Sequence, residues 1–409
     1  MGEVIANRRV MWVTALAVAS SACEQLLGAH DPTGIGGTLV DSGTDKIFLD
    51  GHADADTTSG CARIPSWAAP VKYSALDAAT IAVGDVDHDG IVDLVVGTGT
   101  SQTPDIVIFK GNGNGTLGAS RTMSATPTIA FDLEIADVDD DGFNDVVYLG
   151  SNSTVFVRRQ NPAAPGNFLA PQTITTGQVA RFLVGKLDGD ALVDVLMVAT
   201  DFSLRPYFAR PGSPGVYDPA PSSLPSSNAF PDRLVDVDAD GLDDIVIRGT
   251  STVSILYNRA TSPGTFDAPV AVGTDASAEL GRFSPNAPRR DLFAMEIGGA
   301  KLYHQNAPRV FVGDPVPLPI PVATRLSGML DINGDGRDDL LAGTGGVLQC
   351  AAPAPPGAFY TPDMFQPQVQ IPIADVYADL NNDGKPDTLT RTDLIGAMHA
   401  QFIAVGIQQ

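Results

Sequence analysis

The chain is poor in cysteine, histidine and positive charge, and it has no long hydrophobic run. Its 409 residues include 3 cysteines, 5 histidines and only 25 Lys and Arg against 48 Asp and Glu, for a net charge of −23. That acidity excludes nucleic acid and anionic membrane as direct partners, since both would repel it. The histidines are scattered and show neither an H-E-x-x-H pattern nor Cys/His zinc spacing. No G-x-S-x-G elbow or phosphate-binding loop occurs either. The apolar run from Val10 to Val18 is too short to cross a bilayer. No stretch shows the 3.6-residue apolar period of a core helix, so almost no helix is expected.

What is present in quantity is one acidic pattern, D-x-[DN]-x-D-G-x-x-D. Its five intact copies are Asp85, Asp87, Asp89, Gly90, Asp93; Asp137, Asp139, Asp141, Gly142, Asp145; Asp236, Asp238, Asp240, Gly241, Asp244; Asp331, Asn333, Asp335, Gly336, Asp339; and Asp379, Asn381, Asp383, Gly384, Asp387. Two damaged copies start at Lys186, where Asp188, Asp190 and Asp194 survive, and at Arg282, where almost nothing does. The seven copies recur about every fifty residues, a period that points to one closed repeat array rather than several domains.

Short runs rich in β-branched residues bracket each loop, as Ile81-Ala82-Val83 and Leu94-Val95-Val96 do the first. A third run, Asp105 to Phe109, and a Gly/Asn turn precede a fourth extended segment. Four strands per repeat is the grammar of a propeller blade. The expected fold is therefore all-β, a seven-bladed β-propeller of four-stranded blades.

An aromatic before proline marks the fourth strand at Phe168–Pro171, Phe266–Pro269 and Phe359–Pro362. Trp67-Ala68-Ala69-Pro70-Val71 is the same phrase, yet it stands ahead of the first loop. The N-terminal strand is thus expected to complete the last blade and remove the exposed sheet edges.

Alternate oxygens on a tight loop suit Ca²⁺, a hard cation that takes six to eight oxygen ligands. Positions 1, 3, 5 and 9 would supply side-chain oxygens and position 7 a backbone carbonyl: Ile91, Phe143, Leu242, Arg337 and Lys385 in the five copies. Glycine at position 6 permits the φ > 0 turn. Strands rather than helices flank the loops, and position 12 is Val96 or Tyr148 rather than Glu, which excludes an EF-hand. Acidic hairpin turns without metal are the alternative. Five Ca²⁺ sites are expected, none of them in the copies at Lys186 and Arg282. In the former, the Lys186 ammonium is expected to neutralise the surviving aspartates.

The phrase Gly84-Asp85-Val86-Asp87-His88-Asp89-Gly90, continuing through Asp93-Leu94-Val95-Val96-Gly97, resembles the FG-GAP/VCBS repeat of integrin α-subunit propellers and bacterial surface proteins. The resemblance implies a seven-bladed propeller with calcium between the first two strands of a blade. It does not imply one activity, because the family includes adhesion receptors, lectins and non-catalytic modules of enzymes.

Residues 1–22 have the parts of a secretory signal peptide, and 23–60 read as a Gly/Asp/Thr/Ser-rich tether ahead of the array at 61–409. Ala-Ser-Ser-Ala-Cys resembles a bacterial lipobox that would lipidate Cys23; an ordinary signal peptide cleaved after Ala22 is the alternative. Cys61 and Cys350 are expected to pair in an exported chain, or else to remain buried thiols. The expected product is a monomeric, exported surface binding module for a glycan or protein ligand, touching membrane only through its lipid anchor. The alternative is a secreted polysaccharide lyase or hydrolase, for which Lys301, Tyr303 and His304 would need partners from other blades over the channel.

Overall fold

The computed structural model describes residues 66–98, 105–124, 130–150, 152–175, 177–221, 223–224, 230–248, 252–273, 278–281, 289–296, 299–316, 326–332, 338–342, 345–349, 359–360, 376–395 and 399–408. The leader, the tether, Cys23, Cys61 and Cys350 lie outside the described residues, as do Asn333, Asp335 and Arg337 of the sixth loop.

All regular elements among the described residues are strands. The first group is β1 (Val71–Gly84), β2 (Asp93–Thr98), β3 (Asp105–Gly111) and β4 (Leu117–Ser124). The second is β5 (Ala130–Ala136), β6 (Asp145–Gly150), β7 (Thr154–Arg158) and β8 (Gln172–Thr175). The third is β9 (Val179–Gly185), β10 (Asp194–Ala199), β11 (Leu204–Ala209) and β12 (Tyr217–Pro219). The fourth is β13 (Phe230–Val235), β14 (Asp244–Arg248), β15 (Val253–Leu256) and β16 (Val270–Gly273). The fifth is β17 (Ala278–Gly281), β18 (Asp291–Glu296), β19 (Gly299–Ala307) and β20 (Val310–Val316). The sixth is β21 (Leu326–Leu330), β22 (Asp339–Ala342), β23 (Gly345–Gln349) and β24 (Phe359–Tyr360). The chain ends on β25 (Val376–Ala378), β26 (Asp387–Ile395) and β27 (His399–Gly406). Groups two to six are each a four-stranded antiparallel meander.

The remaining sheet has seven strands in the order β25-β26-β27-β1-β2-β3-β4. Its join is β1, a single long strand where the sequence pattern suggested two. The first half of β1 pairs with β27, Val71 opposite Val405 and Ser74 opposite Phe402, and the second half pairs with β2 from Ala78 to Gly84. Trp67 bridges Gln408, and the Ala68 N–H donates to the Ile407 carbonyl at 2.8 Å. The N-terminal strand is therefore the outermost strand of the last sheet and the innermost of the first. Two of the other aromatic phrases lie alike, Phe168 bridging Gln160 and Phe266 bridging Asn258, each just ahead of its outer strand, whereas Phe359 lies in β24 itself, opposite Gln349. Proline fits there, where a missing N–H breaks no ladder.

The core lies between successive sheets. Second strands are buried on both faces, so they read as continuous apolar runs instead of alternating ones. Leu94 and Val96 pack with Leu389 and Ile403 of the closing strands, while Val95 packs with Leu133, Val146 and Tyr148 of the second sheet. The same alternation carries Val147 and Leu149 onto Val195 and Met197, and Leu196 and Val198 onto Ile245 and Ile247. Each fully buried aliphatic side chain contributes about 1.5–3 kcal/mol, and each sheet shares it with a neighbour. At Gly84 the approach is close enough that a Cβ would lie 2.6 Å from Ile135 Cγ2.

Shortening the chain to begin at Ala78 would leave β27 as an open edge. At ~1 kcal/mol per ladder bond the loss is about 4 kcal/mol, and self-association through the freed edge is expected. Thermal melting and size-exclusion chromatography measure the two effects.

Candidate metal centres

Each acidic loop connects the first two strands of its group, so the hairpin brings its aspartates together. Position 1 organises the turn: Asp85 Oδ1 accepts the Asp89 N–H at 3.1 Å and Oδ2 the Gly90 N–H at 2.8 Å. Asp137, Asp236 and Asp379 repeat this with Asp141 and Gly142, Asp240 and Gly241, and Asp383 and Gly384. Position 5 accepts the N–H of position 7: Asp89 from Ile91, Asp141 from Phe143, Asp240 from Leu242, and Asp383 from Lys385, all at 2.9–3.0 Å. In the seventh loop Asn381 Oδ1 also accepts the Asp383 N–H at 3.1 Å.

Position 9 begins the second strand and is buried. Asp93 Oδ2 accepts the Val86 N–H at 3.0 Å, and its Oδ1 accepts the Gly111 N–H, at the exit of the third strand, at 2.7 Å. Asp145 does the same with Val138 and Gln160, Asp244 with Val237 and Asn258, and Asp387 with Leu380 and Gln408. In the sixth loop, where Asp331 and Asp339 are described, Asp339 accepts the Ile332 N–H at 3.0 Å.

Two features escaped the sequence pattern. Position 4 takes a left-handed backbone although it is not glycine: His88 (φ 61°), Asp140 (φ 58°), Ala239 (φ 62°) and Asn382 (φ 58°). His88 is exposed, as expected, but its ring rests 4.4 Å from that of Phe143 in the next loop. Buried amides also tie neighbouring groups together. Asn258 donates to Leu187 O at 2.7 Å, Gln305 to Val237 O at 3.0 Å and Gln408 to Ile332 O at 2.8 Å, each reaching the second loop position of the preceding group. Lone Asn and Gln residues outside any motif gave no signal for this.

In three loops, positions 1, 3 and 9 each bring one carboxylate oxygen to within 4.8 Å of the others: Asp85, Asp87, Asp93; Asp137, Asp139, Asp145; and Asp236, Asp238, Asp244. In all three, Oδ1 of the third position (Asp87, Asp139, Asp238) is buried and accepts no hydrogen bond. A buried carboxylate oxygen without a donor is costly. Hard oxygen donors arranged in this way fit a divalent cation of the calcium type.

The damaged copies differ. The Lys186 ammonium makes no ion pair with Asp188, Asp190 or Asp194, contrary to expectation; its backbone N–H donates to Asp243 Oδ2 at 2.7 Å instead. Asp194 Oδ2 accepts from Leu187 and Asp188, and Asp188 Oδ1 from Asp190, so backbone N–H groups satisfy the acids. Here the left-handed residue is Gly189 (φ 83°), and Ala191 at position 6 takes no such turn. In the fifth group Asp291 pairs with Gly281, a span one residue longer than in the other copies. Asp291 takes the ninth place and accepts the Gln305 N–H at 2.9 Å. Lys301, Tyr303 and His304 lie on β19, the third strand of that sheet and not the innermost, and His304 Nδ1 sits 3.2 Å from Asp291 Oδ2.

Burial pushes the ninth-position carboxyls up, and neighbouring aspartates add to it: Asp93 and Asp387 to about 6, Asp194 to about 7, Asp145 and Asp244 to about 8. Burial likewise raises Asp137, Asp141 and Asp240.

A family model described as FG-GAP-like repeat matches residues 85–148, from the first loop through most of β6. No curated protein matches the chain. Among solved structures, the chain is similar to an Agrocybe aegerita lectin described as recognising non-reducing terminal N-acetylglucosamine. The two share 16% identity over 82% of this chain and 86% of that one, with a TM-score of 0.54. Sqt1 from Chaetomium thermophilum, at 13% identity over 84% and 97% of the two chains and a TM-score of 0.45, is too remote to carry an argument. At such identity the lectin shows the fold alone. With the antiparallel four-stranded sheets, it defines the class: this protein is a β-propeller. More narrowly, its residues 85–148 match an FG-GAP-like repeat.

Two outcomes follow from these loops. Asp194→Ala, in a copy where backbone N–H groups satisfy the acids, is expected to cost about 3 kcal/mol by stranding buried donors, equally in calcium and in chelator, as denaturant titration would show. The ninth-position carboxyls have folded pKa values above the unfolded value near 3.9. The stability tied to their protonated form is thus present below about pH 4 and lost as pH rises through 6 to 8. In chelator, melting at pH 5 should exceed melting at pH 8, and calcium should shrink the gap.

Proposed function

We propose that this protein is a calcium-stabilised binding module, a seven-bladed propeller exported to the cell surface, anchored there through Cys23 and acting as a monomer toward a glycan or protein ligand. The observation that carries the calcium reading is the same arrangement in three loops: three converging carboxylates around one buried oxygen without a donor. One such loop would pass as an acidic turn, but three with the same oxygen left open indicate a common ligand. Bound calcium would neutralise the cluster and lock each hairpin, leaving the loops between strands to make contacts.

This reading puts the ligand beside the first loop. A cavity of about 260 Å³ there is lined by Asp87, Lys110, Ala119, Arg121 and the Pro165-Gly166 turn of the second group. Acceptors and donors stand side by side in it, which suits the paired hydroxyls of a sugar. The fold shared with the Agrocybe aegerita lectin makes saccharides the first ligand class to test.

Calcium at ten to a hundred times the dissociation constant is expected to stabilise each filled site by about 1.4–2.7 kcal/mol. Melting in calcium and in chelator would read it. Glycan-array binding should depend on calcium and fall at least tenfold in Arg121→Ala. A melting temperature indifferent to calcium sinks the metal reading. Calcium stabilisation without glycan retention points instead to a protein ligand.

A further inference from the structure

In all three clusters a cation from elsewhere in the fold holds the third-position aspartate by the oxygen opposite the open one. Lys110 Nζ pairs with Asp87 Oδ2 and lies 2.6 Å from Asp89 Oδ2. Arg159 Nη1 lies 2.8 Å from Asp139 Oδ2, with its Nε on Gln172 Oε1 at 3.1 Å. Arg309 Nε lies 2.5 Å from Asp238 Oδ2, and its Nη2 is 3.6 Å from Asp240.

Lys110 and Arg159 occupy equivalent places, each one residue ahead of the N–H that caps the ninth aspartate, Gly111 and Gln160. In the fourth group that place belongs to Tyr257, which has no charge to offer. Arg309 arrives there from the turn between β19 and β20 of the next group, its guanidinium 4.6 Å from the centre of the Tyr257 ring. Further bonds fix it to Asn258 O at 2.7 Å and Asp267 Oδ2 at 3.0 Å. The fifth group, whose own acidic loop is eroded, thus supplies the cation for the fourth.

We propose that Lys110, Arg159 and Arg309 are positioning residues of the metal loops: each anchors Oδ2 of the third-position aspartate and so turns Oδ1 toward the metal. The proposal rests on the calcium reading above. Two effects oppose each other here. A cation beside a bound cation repels it, which weakens binding, whereas an oriented ligand raises affinity. The side chains of Asp139 and Asp238 are only 4% and 3% exposed. Without its anchor, such a carboxylate would turn its buried oxygen toward any available donor and lose the ligating pose. Orientation therefore prevails, as it does for hydrogen-bonded ligands in other metal sites, where losing the outer partner costs 10–100-fold in affinity.

The test is calorimetric titration of the full chain with Ca²⁺, with Tb³⁺ luminescence as a second readout, for wild type, Lys110→Gln, Arg159→Gln, Arg159→Lys and Arg309→Gln. Each Gln variant is expected to weaken one site about tenfold and leave the others unchanged, and Arg159→Lys should retain most of the affinity. Arg309→Gln should act on the fourth loop, so its loss should not add to that of Asp238→Asn. Lys110 is half-exposed, so Lys110→Gln keeps the test open if a guanidinium variant fails to fold. Wild type that binds no Ca²⁺ overturns the calcium reading and this proposal with it. Wild-type binding with unchanged or tighter affinity in the Gln variants overturns this proposal alone and makes the cations competitors of the metal.

Discussion

The structure depends on one buried carboxylate repeated around the array. Every second strand begins with an aspartate: Asp93, Asp145, Asp194, Asp244, Asp291, Asp339 and Asp387. All seven are almost wholly buried. Wherever both oxygens are described, one holds the start of the loop or the side chain of His304, and the other holds the chain leaving the third strand. Where the start of the loop is held, three strands are thereby tied at one point, and an acidic side chain is worth burying there because two or three N–H donors meet it. The third group keeps this aspartate after losing the first-position acid and the turn glycine, and the fifth after losing almost all the rest of the loop. Its first task is therefore architectural, and any metal is an additional partner.

From that knot the rest follows by packing. Once the first three strands are tied, each sheet presents two apolar faces and must cover both. Val95 faces one neighbour while Leu94 and Val96 face the other, which forces the sheets into a succession with no free face. The amides of Asn258, Gln305 and Gln408 then set the distance between neighbours, because each must reach a particular carbonyl in the preceding loop. Among the described residues, the succession closes through β1, the strand that joins the last group to the first.

Much of this was legible in the chain. The spacing of D-x-[DN]-x-D-G-x-x-D located the hairpins, since glycine at position 6 and carboxylates at alternate positions suit one loop geometry. The stray phrase Trp67 to Val71 announced the closure, because an outer-strand signature without a sheet of its own has to find one. Less was legible where the cause is not local. That position 4 is left-handed in His88 and Ala239 follows from the hydrogen bonds of Asp85 and Asp236 to positions 5 and 6, which override the residue's own preference. The place of Asp291 was not legible, because the fifth copy has one residue more between the paired Gly281 and Asp291 than the other copies have, and it lacks the other acids that would have set its register.

The sequence alone determined the repeat, the strand content, the acidic loops and the strand that closes the array, because these rest on periodicity and on residue types whose backbone preferences are local. Only the tertiary structure decided which oxygens stay open and which cation holds each loop. Lys186, in the damaged loop itself, makes no ion pair with the loop's acids, while Arg309, some seventy residues from Asp238, docks on that loop through Tyr257. Partners so far apart in the chain are chosen by the stacking of one sheet on the next, and no spacing rule within a single repeat encodes that choice.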